Sequence, residues 1–158
     1  MTRMQPADLP DELPVKNNLV RALYHNPDLY RAFGRLAMQV HASSHLSPRT
    51  RELVVLWIAG ALQAPYQWTQ HCGAAREVGI TDAEIAAIER RDMAGLSGDE
   101  QLALRLAEAI EDRTMTDALW HEAEATYDRP SLLDLSLLAT FYGLASRLTL
   151  AFEVPLDD

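Results

Sequence analysis

Residues 47–79 read SPRTRELVVLWIAGALQAPYQWTQHCGAAREVG, and the fold turns on this stretch. Ser47-Pro48 is a helix start, a serine cap followed by a proline whose fixed φ suits the first helical position. From Leu53 to Leu62 the chain is apolar without a break. A helix over about Pro48–Gln63 is therefore apolar on all sides, the pattern of one enclosed by protein. Ala64-Pro65 breaks or bends it, and a further helix over about Tyr66–Val78 stops at Gly79, a residue suited to end it.

The flanks carry the same punctuation. Upstream, Val15–Tyr24 forms a short helical stretch that ends at the turn His25-Asn26-Pro27, and Leu29, Phe33, Leu36, Ala37 and Val40 mark an amphipathic helix from Pro27 to about Ala42. Downstream, Thr81-Asp82-Ala83-Glu84 and Ser97-Gly98-Asp99-Glu100 match the capping box, so helices start near Asp82 and Gly98. Thr116 caps Asp117–Tyr127, and a last long helix covers about Ser131–Phe152. The reading is an all-α single domain over residues 1–158, a bundle of about seven or eight helices behind a polar leader, residues 1–14. Leucines cover more than one stripe of the last helix, which predicts a homo-oligomer.

Composition narrows the function. Fourteen Lys and Arg against 23 Asp and Glu give a net charge of −9, which speaks against nucleic acid as a partner. Cys72 is the only cysteine, so neither an intramolecular disulfide nor a Cys-x-x-Cys pair is available. The apolar run Leu53–Leu62 spans about ten residues where a bilayer needs roughly twenty, and residues 1–14 lack the apolar run of a signal peptide. No membrane partner is expected, and a cytoplasmic location is the default.

Chemistry concentrates between Arg51 and Gly79. Gln67 and His71 stand four apart on one helix face, with Trp68 and Cys72 on the adjacent strip. Glu52 is the single carboxylate at the head of the apolar run, where a charge is costly unless paired. His71 is the obvious partner, and a carboxylate against an imidazole in an apolar cavity can move protons. Each also has a plain reading: a solvated glutamate near a helix start, a packing histidine, a thiol that is a small buried hydrophobe. His41 and His45 have i, i+4 spacing, a possible metal pair, but Ser47-Pro48 cuts the helix short, and a solvated helix end is the better reading. His25 and His121 read as turn and surface residues.

Residues 47–56, then Tyr66-Gln67-Trp68-Thr69-Gln70-His71, then 75–85, and later Leu132–Leu138 with Phe141-Tyr142-Gly143, Arg147 and Ala151-Phe152 together resemble the carboxymuconolactone decarboxylase family, which includes alkylhydroperoxidase-D-like proteins. The redox branch carries a glutamate followed by Cys-x-x-Cys-x-x-x-His; the decarboxylase-like branch replaces the second cysteine with glutamate. Carried over, the upstream glutamate falls on Glu52, the cysteine positions on Ala64 and Gln67, and the histidine on His71. Both redox cysteines are absent, so a dithiol cycle is not open to this chain. Gln67 replaces the acid with an amide that donates and accepts hydrogen bonds but does not exchange protons.

The resemblance implies a lyase or isomerase needing no cofactor or metal, acting on a small carbonyl or lactone compound and assembling as a trimer or hexamer. His71 and Glu52 are the expected catalytic residues. Gln67 is expected to orient the substrate, with Tyr66, Trp68, Phe141 and Tyr142 as pocket walls. Two alternatives remain: a non-catalytic small-molecule-binding scaffold, and a peroxide-handling protein using Cys72 with His71.

Overall fold

A computed structural model describes residues 2–42 and 45–157. Among them eight helices follow one another without a strand: α1 Asn18–Leu23, α2 Pro27–Ala42, α3 Pro48–Ala61, α4 Pro65–Glu77, α5 Asp82–Glu89, α6 Gly98–Asp112, α7 Asp117–Thr126 and α8 Arg129–Phe152. Each expected helix is present. The first is shorter than predicted, because the Asn17 side chain accepts a hydrogen bond from the Val20 N–H and so caps the helix there. The last starts earlier, capped by Asp128 on the Ser131 N–H.

Helix α3 is the axis of the bundle. Helices α4, α5, α6 and α8 pack around it, and Glu52 through Ala59 are all buried. Each of its large apolar side chains adds about 1.5–3 kcal/mol by leaving water, which is why a sequence apolar on all sides is stable there. At its end Gly60 lets α4 come close: a Cβ on this residue would stand 3.3 Å from the Trp68 ring. Helix α4 closes at Gly79, whose φ of +84° suits glycine.

Helix α8 corrects one inference from the sequence. The longest apolar element is not Leu53–Leu62 but α8, whose 24 residues are long and apolar enough to cross a membrane by length and composition alone. Half of its most apolar window is buried inside the domain, where Leu135, Leu138, Tyr142 and Ala145 join the core. Leu133, Leu137, Leu144 and Leu150 face outward.

Both capping boxes form, and their glutamates converge on one cation. Arg49, in the first turn of α3, reaches Glu84 at 2.5 Å, Glu100 at 2.7 Å and the Gly79 carbonyl at 2.9 Å. The starts of α5 and α6 are thereby tied to the start of α3. The Arg49 bond, followed by the Thr81 N–H, holds the Glu84 carboxyl down at about 2. A carboxyl depressed from 4.5 stabilises the folded state above pH 4.5 and loses that contribution as pH falls toward 2. Arg49→Met is expected to cost about 1–2 kcal/mol at pH 7. The difference in thermal midpoint from the parent should shrink between pH 4.5 and 2, which calorimetry at several pH values checks.

Candidate active site

Four helices bring the candidate residues together. Glu52 comes from the second turn of α3 and His71 from the middle of α4, and the His71 Nδ1–H donates to Glu52 Oε2 over 2.8 Å. Both side chains are largely out of water, 14% and 6% exposed, so the charge at the head of the apolar run has the partner it needs. Gln67 lies one turn before His71 and is buried. Phe141 and Tyr142 arrive from α8, and Phe33 and Ala37 from α2. All of these except Glu52, which stands behind His71, line a cavity of about 180 Å³, a size for a small ligand or part of a larger one. No hydrogen bond joins the Gln67 amide to another side chain among the described residues, so it is available to a ligand in the cavity it lines.

His41 corrects the reading of a solvated helix end. It is half-buried on α2, and its ring lies parallel to that of His71 with centroids 5.8 Å apart. The Tyr142 hydroxyl lies 2.5 Å from His41 Nε2, and the Tyr142 ring meets His71 edge-on at 4.9 Å. The signal was present in the sequence: Phe33, Ala37 and His41 are spaced i, i+4, i+8 and so share the inward face of α2. Pairing His41 with His45 obscured it. His45 lies beyond the end of α2, and its Nδ1 instead bonds Asp134 Oδ2 of α8 at 2.8 Å.

The electrostatics of this cluster separate its members. Burial lowers the His41 pKa below the ordinary histidine value; Glu52 opposes this, while His71 and Arg51 add to it. His41 is thus neutral at pH 7. Burial, reinforced by the Glu52 charge, raises the Tyr142 phenol well above its ordinary value. Tyr142 therefore keeps its proton and donates it to His41 Nε2.

The remaining predicted walls divide. Tyr66 lines one end of the cavity, its hydroxyl donating to Asp157 Oδ2 at 2.7 Å and accepting from the Leu19 N–H at 3.3 Å. Asp157 also accepts from Gln70 Nε2 at 2.9 Å and from the Asn18 N–H at 2.7 Å. Nothing in the sequence marked this residue as the one that holds the Tyr66 hydroxyl. Trp68 is not part of it. Its ring packs on Gly60 and lines a separate cavity with Gln63 and Glu89, because one residue along a helix turns the side chain by about 100°.

Cys72 sits on the strip beside His71, half-buried against the core. Burial pushes its thiol up from the ordinary value, against the opposing effect of Arg76, so little thiolate is present at neutral pH. Cys72→Ser is expected to keep the fold within about 1 kcal/mol. Iodoacetamide should label the parent slowly at pH 7 and faster as pH rises, which mass spectrometry follows.

Residues 27–109 match the carboxymuconolactone decarboxylase family. None of the curated proteins matches the sequence. Among solved structures, an uncharacterized peroxidase-related protein from Silicibacter sp. TM1040 superposes with a TM-score of 0.86 at 18% identity, over 99% of this chain and 92% of that one. The core of an alkylhydroperoxidase AhpD-type, peroxidase-related protein from Ralstonia eutropha JMP134 gives 0.81 at 19% identity, over 94% and 80%. The debrominase Bmp8, as a Cys→Ala variant in complex with 2,3,4-tribromopyrrole, gives 0.79 at 18% identity, over 92% and 79%. At these identities the likeness is one of fold.

Proposed function

We propose that this chain, which belongs to the carboxymuconolactone decarboxylase family, is an enzyme that moves a proton on a small carbonyl or lactone compound, as a lyase or isomerase. The observation that carries this reading is the buried Glu52–His71 hydrogen bond beside a small cavity that also presents the Gln67 amide. With Nδ1–H given to Glu52, neutral His71 has its lone pair on Nε2 and acts as the base. A proton on the carbon next to the substrate carbonyl passes to Nε2, and Glu52 stabilises the resulting imidazolium. Electron density moves onto the carbonyl oxygen, where a Gln67 N–H donates to the developing enolate. Where a neighbouring β,γ double bond extends the enolate, return of the proton to the γ-carbon completes an isomerisation. Where the substrate instead carries a carboxylate on the carbon next to the carbonyl, breaking that carbon–carbon bond releases carbon dioxide and leaves the same enolate, and His71, entering this step protonated on Nε2, supplies the proton that quenches it.

A disulfide cycle does not compete with this reading, because the family's two cysteine positions hold Ala64 and Gln67. His71→Ala and Glu52→Gln are each expected to lower turnover about a hundredfold or more, whereas Gln67→Ala should mainly raise KM. Kinetics on candidate lactones and β-keto acids, with circular dichroism as a fold control, check this. A folded His71→Ala protein with near-normal turnover removes the histidine from the mechanism.

The outward leucines of α8, with Leu29 and Leu36 of α2, support assembly into a trimer or hexamer. Sedimentation at micromolar concentration should show that species, and a monomer would refute it.

A further inference from the structure

Helices α2, α3 and α4 each contribute one metal-ligating side chain to a single point. One nitrogen from each of His41 and His71 and one carboxylate oxygen of Glu52 all lie within 4.8 Å of one another. We propose that His41, Glu52 and His71 form a binding site for a divalent transition metal ion, of the two-imidazole, one-carboxylate type.

Ligands bonded to one ion at about 2.0–2.2 Å are themselves about 3–3.6 Å apart in a tetrahedral arrangement. The Glu52–His71 pair already stands at 2.8 Å, so an ion requires only a modest opening there and a closure of about an ångström at the widest pair. The donor set is intermediate in softness, two imidazoles and one oxygen anion. It suits Zn²⁺, Co²⁺, Ni²⁺ or Fe²⁺ rather than Ca²⁺ or Mg²⁺, which prefer oxygen ligands throughout. The charges agree as well. Neutral imidazoles and one carboxylate leave a bound dication with a net charge of +1, against a chain of net charge −9. Three protein ligands leave a position open, and His71 also lines the cavity bordered by Gln67 and Phe141.

The site goes beyond the proton-transfer reading: it shares Glu52 and His71 with it and adds His41, which that reading leaves unused. An ion held by Glu52 and His71 occupies the groups that would otherwise share a proton, so bound metal and free-base His71 exclude each other.

The test uses the whole chain, stripped of metal by a chelator and dialysed. Co²⁺ titration should give a visible d–d band that saturates at one ion per chain and is displaced by Zn²⁺. His41→Ala and Glu52→Gln should each weaken binding at least tenfold, with helical content unchanged by circular dichroism, while His45→Ala leaves it as it was. No saturable band, or a band lost in His45→Ala and kept in His41→Ala, overturns the proposal. Should the two site variants fail to fold, X-ray absorption on the Co²⁺-loaded parent decides. Two imidazoles in the first shell support the site; one or none overturns it. Turnover of the metal-stripped protein bears only on the proton-transfer reading, so the two can fail separately.

Discussion

A carboxylate buried within the most apolar helix of a domain needs a partner, and the arrangement of the site follows from that need. Glu52 leads a run of seven residues that are all core. Unpaired, its charge would cost several kcal/mol or be lost by protonation. The partner is an imidazole held on the neighbouring helix, and the two helices must therefore keep their relative rotation and depth. Gly60 secures that by allowing the close approach at the far end of the α3–α4 pair, and Arg49 fixes the near end through two other helices. Packing and chemistry are joined in α3: the helix cannot shift by a residue without exposing its core face and separating Glu52 from His71.

Much of this was legible in the sequence because it is local. Ser47-Pro48, the two capping boxes and Ala64-Pro65 act within four residues of themselves, so their backbone consequences can be read without a fold. The Glu52–His71 pair was also legible, since an acid in an apolar run demands a partner and His71 is the only histidine on the next helix. His41 was not recovered, although Phe33 and Ala37 place it on the inward face of α2. Its neighbour in sequence, His45, offered a competing and more familiar spacing, and only the packing of α2 against α8, which brings His41 to His71, decides between them. Trp68 was misplaced for the opposite reason: its nearness to Gln67 in sequence suggested a shared cavity that the helical turn does not permit. Asp157 lies 91 residues from the Tyr66 hydroxyl it holds, and no local pattern signals such a contact.

The backbone also favours the chemistry assigned to Gln67. This residue is in the first turn of α4, a helix of 13 residues whose cap position, Ala64, supplies no side-chain acceptor. Partial positive charge at a helix start stabilises nearby negative charge, and Cα–Cβ bonds tilt toward that end. In the proposed reaction, an enolate oxygen met by the Gln67 amide would develop beside the positive end of α4, while an imidazolium formed at His71 would lie a turn further along and against the Glu52 carboxylate. The two charges that the proposed proton transfer creates would each be met by an opposite one fixed in advance, which is the condition under which electrostatic stabilisation lowers a barrier most.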